Sequence, residues 1–259
     1  MNIKVDTFGG GPFSQFMVAL QSINDVHKND LDKIDNIYID TDMVSINPFN
    51  YVLEQNSEML FDSIVNCRES HHRREQNKGI LEYTDLFNIN NGDLENLKKI
   101  IKKIKIKNTV TDKLNTLNDR TLGVHIRLTD MNSIHPIHGI FTINDYISKI
   151  KTVLKGDPTL NNIFISSDND ESISKIISIF SNHTITYNTV SNRSVKEDDA
   201  SYMSYQTKSF SSEMFWVDSF LEMLSLSLCD ELIYRVSNLN NSSVIFSEKI
   251  KKTHKLWIN

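Results

Sequence analysis

The segment Leu122-Gly123-Val124-His125-Ile126-Arg127-Leu128-Thr129-Asp130 constrains this chain more than any other. Val124, Ile126 and Leu128 alternate with His125, Arg127 and Thr129, so a strand here places the polar set on one face. A strand buried in an α/β sheet ordinarily reads as unbroken Val, Ile and Leu. Burying an imidazole and a guanidinium is costly unless something anionic compensates them. At the carboxyl end of such a strand the compensating group is a bound phosphate or a carboxylate. The plain alternative is an Arg127–Asp130 ion pair that only fixes a loop.

Around this segment strands and helices alternate. Residues 2–8 read as a strand, Gly9-Gly10-Gly11-Pro12 as a turn, and 13–26 as a helix with Phe16, Met17, Leu20 and Ile23 at helical spacing. A second strand is expected at 36–40 and a short helix near 58–65. Residues 94–107 set Leu97, Ile100, Ile101 and Ile104 against Lys98, Lys99, Lys102, Lys103 and Lys105, a packed helix with a solvated basic face. Residues 108–120 are polar and read as a helical junction. Further strands are expected at 122–128, 162–166, 183–187 and 231–236, and helices at 142–154, 171–180 and 214–228. A polar turn at 237–243 leads to a closing helix at 244–252. This rhythm predicts an α/β protein with parallel sheets covered on both faces. The junction divides it into residues 1–118 and 119–259.

Charge and cysteine content narrow the function. A formal net charge of −5 over 259 residues argues against a general nucleic-acid binder. Cys67 and Cys229 are the only cysteines and lie far apart, which fits a reducing compartment, no disulfide scaffold and no cysteine metal site. No stretch reaches the length of a membrane span, and the N-terminus reads as a strand rather than a signal peptide, so a cytoplasmic protein is expected. No His/Glu spacing resembles a zinc site. Asp40-Thr41-Asp42 is the one literal Asp-x-Asp, and it reads as a turn.

Three turns after expected strands carry site chemistry, because ligands of open α/β sheets bind outside the carboxyl ends of strands. In Gly9-Gly10-Gly11-Pro12 the backbone of Gly10 and Gly11 can approach a ligand at a helix N-terminus, or form a tight turn only. It is neither a dinucleotide fingerprint nor a P-loop. In His125-x-Arg127-x-x-Asp130 the guanidinium fork can grip a diphosphate, and His125 can donate to the same group. Asn240-Asn241-Ser242-Ser243 opens the last expected helix, either as a phosphate nest or as an ordinary N-cap. Asp168, ending the strand Phe164-Ile165-Ser166-Ser167, can accept hydrogen bonds from a base or a ribose, while Asp170 can cap the next helix.

Gly123 to Asp130, with residues 141–146 after it, resembles the first conserved peptide of α1,6-fucosyltransferases and nodulation fucosyltransferases, with α1,2- and protein O-fucosyltransferases as more distant relatives. Residues 9–15, 163–168 and 218–243 follow in the family's order, and the likeness covers about half the chain. The resemblance implies a GT-B-like fold, two Rossmann-like halves with the donor between them, 1–118 on the acceptor side and 119–259 binding the donor. It implies inverting transfer of fucose from GDP-fucose to a glycan or glycopeptide, without a metal or other cofactor. By position, Arg127 would bind the β-phosphate with His125 beside it, Asp168 would face guanine or ribose, Ser242 and Ser243 would hold phosphate, and Gly10 and Gly11 would approach from the other half.

The chain departs from that pattern at Leu128, where the α1,6 enzymes carry a second arginine, and at Met131, where they carry a lysine. The linkage and the catalytic base therefore stay open. Asp130, His135 and His138 are the candidate bases. The alternatives are a glycosyltransferase using another nucleotide sugar, and a sugar-nucleotide or glycan-binding module without a working base. The acceptor and the oligomeric state are not specified by the residues.

Overall fold

The computed structural model describes residues 1–8, 11–41, 46–68, 91–117, 119–129, 140–190, 193–194 and 212–256. They form two compact units. The first comprises Met1–Lys113, Ser209–Phe220 and Ser237–Phe246; the second comprises Leu114–Lys208, Leu221–Val236 and Ser247–Asn259. A single cut after residue 118 misses the two later segments that return to the first unit.

The first unit is built on a three-stranded parallel sheet, β1 (Asn2–Thr7), β2 (Asn36–Thr41) and β3 (Ser63–Asn66), in the order β2-β1-β3. Ile3, Val5 and Thr7 of β1 are buried in strict alternation. Helix α1 (Pro12–His27) starts with Pro12, which needs no N–H donor at that position, and buries Phe16, Leu20 and Ile23. Helix α2 (Asn91–Ile101) and the short α3 (Asn108–Thr111) follow. Residues 58–65 do not form the expected short helix. They end in β3, whose exposed and buried residues alternate with period two. The lysine-rich helix stops at Ile101, and Ile106 instead bridges Leu53 in an antiparallel pair.

Aromatic packing explains why 213–220 and 238–246 belong to this unit. Trp216 meets Phe49 edge-on at 4.9 Å between ring centroids, Phe220 meets Phe16 at 5.6 Å, and Phe246 stacks on Phe16 at 6.0 Å. Such pairs add about 0.5–1.5 kcal/mol each beyond their buried area.

The second unit is built on a five-stranded, all-parallel sheet in the order β6-β5-β4-β7-β8. Its strands are β4 (Thr121–Ile126), β5 (Asn162–Ser167), β6 (Thr184–Tyr187), β7 (Glu231–Tyr234) and β8 (Lys252–Lys255). Its helices are α4 (Ile143–Gly156) and α5 (Asp170–Ile179), and α6 (Glu213–Ser227) contributes its last turns. Thr142 and Asp145 close α4 with a reciprocal capping box, and the Asn169 side chain caps α5 by accepting from Ser172 N–H. Asn169, rather than Asp170, therefore holds the α5 cap.

Every residue of β4 is buried. Leu122, Val124, Ile126 and Leu128 share one core with Tyr146, Ile147 and Ile150 of α4 and Ile173 and Ile176 of α5. On the other face the strand runs against the end of α6. A methyl added to Gly123 would stand 3.0 Å from Cys229 Sγ, 3.1 Å from Cys229 Cβ and 3.3 Å from Leu226 Cδ2. Glycine is required there by close approach. Gly123→Ala is expected to destabilise the protein by about 1–3 kcal/mol, read from its denaturant midpoint. An unchanged midpoint would contradict this close packing. Cys67 and Cys229 are free thiols, both buried. Burial pushes the Cys229 thiol far above its ordinary pKa.

The last helix is α7 (Asn238–Phe246), in the first unit. The closing helix expected at 244–252 is displaced toward the N-terminus, and the last element among the described residues is β8. Among the described residues, no helix is long and apolar enough to cross a membrane.

Candidate functional site

The second sheet has one topological switch point. From β4 the chain moves outward through β5 and β6, then returns to β7 on the opposite side of β4. In open parallel sheets the crevice at the carboxyl ends of the two strands flanking such a point is where ligands bind. Arg127 is the first residue after β4, and it is partly exposed. His125 lies one residue inside the strand end and is only 4% exposed. The alternation read from the sequence therefore leads to this edge.

Asp168 follows β5 and turns back to β4. Its carboxylate accepts hydrogen bonds from Leu128 N–H at 3.3 Å, Thr129 N–H at 3.2 Å and the Thr129 hydroxyl at 2.6 Å. Its own N–H donates to Ile126 O at 3.4 Å. Asp168 thus anchors the turn that carries Arg127. Asp168→Ala leaves two main-chain donors and a hydroxyl without this acceptor. It is expected to lower stability by about 2–3 kcal/mol by chemical denaturation. A loss below about 0.5 kcal/mol would contradict the anchoring role.

Beneath the turn, Tyr146 is fully buried and its hydroxyl is pushed far up by desolvation, with the Arg127 main chain opposing the shift. A further anchor holds the chain after β6. Arg193 donates through Nε to Ser167 O at 3.0 Å and through Nη2 to Asn188 O at 2.8 Å and Glu222 Oε1 at 3.0 Å. Both side chains of this ion pair are buried. Ser194 N–H then donates to Asp168 O at 2.8 Å, tying this segment to the same strand end.

Sequence reasoning missed Arg235. It is the first residue after β7, is 3% exposed, and places Nη1 3.5 Å from the Arg127 carbonyl oxygen. Its guanidinium carbon lies 5.3 Å from the Phe141 ring centroid. The signal was present as an arginine directly after the apolar run Leu232-Ile233-Tyr234, without the alternation that drew attention to Arg127. Arg193 gave no such signal, since it sits in a polar stretch without periodicity.

The structure brings His125, Arg127 and Asp168 to one sheet edge. Ser242 and Ser243 belong to the other unit and do not open a helix. They lie in its second turn, fully buried, and their hydroxyls donate to the carbonyls of Asn238 and Leu239 at 2.9 and 3.0 Å. This is mid-helix back-bonding, not a nest. Ser237 occupies the capping position, its Oγ accepting from Asn240 N–H at 3.2 Å. Gly11 is extended at φ −78° and ψ 177°, so its backbone does not itself demand glycine. Gly10, Asp130, His135 and His138 lie outside the described residues. Among the described residues no group of three or more His, Cys, Asp and Glu side chains is arranged to hold a metal ion.

No protein-family model and no curated protein sequence matches the chain. Solved structures do. A NodZ α-1,6-fucosyltransferase co-crystallised with GDP superposes with a TM-score of 0.58 at 11% identity, covering 95% of this chain and 93% of that one. The fucosyltransferase NodZ from Bradyrhizobium gives 0.55 at 12% identity, with 95% and 94% covered. POFUT1 in complex with GDP gives 0.52 at 11% identity, with 99% and 98% covered. The chain has the α/β, GT-B-like fold of these enzymes, with two parallel sheets.

Proposed function

We propose that this protein is a glycosyltransferase that moves fucose from GDP-fucose to a hydroxyl of a glycan or glycopeptide. One observation carries the proposal. A guanidinium emerges at the switch point of a parallel sheet, within a fold shared with enzymes solved with GDP and with GDP-fucose. Arg127 would grip the β-phosphate in two-point fashion. His125, set just inside the strand, would donate to the same group. Asp168 would act mainly by holding the Arg127 turn in place, since its carboxylate already serves Leu128 and Thr129.

Transfer with inversion asks two things of the site. A base removes the proton of the acceptor hydroxyl as its oxygen bonds to the anomeric carbon. The bond from that carbon to the β-phosphate oxygen breaks as GDP departs, and cationic donors stabilise the charge that develops. Guanidinium and imidazole groups supply that stabilisation without a metal. Asp130, His135 and His138 remain the candidate bases. The second unit would bind the donor and the first would face the acceptor.

The test is thermal stabilisation across a panel of nucleotide sugars. GDP and GDP-fucose are expected to raise the melting temperature in proportion to the logarithm of ligand excess, and UDP- and ADP-sugars are expected not to. Release of GDP from GDP-fucose on adding acceptor glycans then separates an enzyme from a binding module. Stabilisation by a different nucleotide class would replace the donor, and no stabilisation by any would overturn the proposal.

A further inference from the structure

We infer that Phe8 and Arg68, which meet at the carboxyl end of the first unit's sheet, form a binding site for a neutral sugar ring of the acceptor. The acceptor role rests on the proposed glycosyltransferase reading, whereas the sugar site itself is read from the first unit alone.

Topology selects the place. The first sheet, in the order β2-β1-β3, has a switch point of its own: from β1 the chain passes to β2 on one side and later to β3 on the other. The crevice beyond the carboxyl ends of β1 and β3 is therefore where such a parallel sheet receives a ligand. Phe8 directly follows β1, and Arg68 lies two residues beyond β3. Register brings them together. Ile3 stands opposite Ser63 and Asp6 opposite Asn66, and the same offset sets Phe8 opposite Arg68. The contact follows, with the guanidinium carbon of Arg68 5.3 Å from the Phe8 ring centroid.

The chemistry of this edge selects the ligand class. Phe8 is partly exposed and Arg68 exposed, so both present surface to solvent. Alternation along β1 puts Phe8 on the face of Lys4 and Asp6, opposite the buried Ile3 and Val5. On that face Lys4 pairs with Asp6 at 2.9 Å and with Asp40 at 3.3 Å, and all three side chains are partly exposed. The exposed Asn66 stands beside Asp6 and accepts from Arg68 N–H through Oδ1 at 3.0 Å. Lys4 and Arg68 thus balance Asp6 and Asp40, and these residues together carry no net formal charge to attract a phosphate. An apolar ring rimmed by charged and amide side chains suits a neutral sugar. Its C–H face packs on Phe8, and its hydroxyls accept from the guanidinium and donate to the carboxylates.

An array of immobilised neutral oligosaccharides with hexose and N-acetylhexosamine termini, followed by calorimetric titration of the best-bound glycan, tests this on the full chain and its variants. The parent is expected to bind at least one neutral glycan. Phe8→Leu and Arg68→Gln are each expected to weaken that binding by about fivefold or more, and Phe8→Tyr, which keeps a ring, to stay within about twofold of the parent. Glycan binding unchanged in either Phe8→Leu or Arg68→Gln would overturn the inference, as would a parent that binds no neutral glycan. The GDP-dependent melting shift is recorded alongside, and a variant that loses its glycan and its response to GDP together would assign the residue a purely structural role and overturn the inference as well. If Phe8→Leu fails to fold, Arg68→Gln, made at an exposed side chain, decides alone. A parent that binds glycans through Phe8 and Arg68 but never GDP fails the proposed function and leaves this site standing, so the two failures are distinct.

Discussion

Arg127→Ala is expected to abolish the stabilisation that GDP gives the parent protein while leaving the unliganded fold intact. The side chain emerges beyond the end of β4 and is partly exposed, so its removal opens no cavity in the core shared by Val124, Ile126 and Leu128. Neighbours that shape the turn engage its main chain: Arg235 meets its carbonyl, and Asp168 fastens the two residues that follow. Truncating one partner of a desolvated charge pair costs about 2–4 kcal/mol of binding, which is about 30- to 1000-fold in affinity. The measurement is the GDP-dependent melting shift of parent and variant at matched ligand concentrations. A variant that unfolds, in a protein whose parent never bound GDP, would make Arg127 a structural ion pair and remove the site.

Glu222→Ala carries the largest expected effect on stability, a loss of about 3–5 kcal/mol. Glu222 and Arg193 are 8% and 5% exposed at the side chain and meet at 3.0 Å. Removing the carboxylate leaves the guanidinium buried, with Asp170 at 3.9 Å as a distant and largely exposed second acid. The damage should spread, because the same guanidinium holds Ser167 O and Asn188 O and so ties the chain after β6 to the end of β5. Denaturant unfolding reads the loss. The double variant Arg193→Met with Glu222→Leu is expected to recover only part of it, since replacing both charges removes the unpaired ion but leaves Ser167 O and Asn188 O without their donor. A single variant within about 0.5 kcal/mol of the parent would show that the pair contributes nothing.

Much of the second unit was legible because its strands are bounded by turn chemistry and its helices by caps. The helix expected at 142–154 matches α4, closed by the Thr142–Asp145 capping box, and Leu122 to Leu128 announced both a buried strand and a polar edge. The polar face was readable because alternation survives whatever packs around it. Two stretches were not. Residues 58–65 run into β3 (Ser63–Asn66), a short, half-exposed edge strand, where few apolar positions separate a period of two from a helical one. The run Asn238 to Ser243 reads as a turn by propensity, yet it forms a helix because Asn240 to Ile245 are buried and the serine hydroxyls are absorbed by their own helix. That tertiary override moved Ser242 and Ser243 away from the helix opening and left Ser237 at the cap.

The switch point itself was invisible in the sequence. Strand order is a long-range property, and no local pattern says that β7 returns beside β4 instead of extending the sheet beyond β6. Without that order Arg235 was one arginine among many. With it, Arg235 follows the strand beside β4 and reaches the Arg127 carbonyl oxygen. Asp168 was legible as a polar strand end, whereas its service to Leu128 and Thr129 depends on the pairing of β4 with β5.

Determining the structure of the protein with bound GDP tests the central claim most directly. The diphosphate is expected at the carboxyl edge of β4 and β7, with the Arg127 guanidinium on its outer phosphate. A diphosphate lodged elsewhere, or saturating GDP that leaves this edge empty, would contradict it.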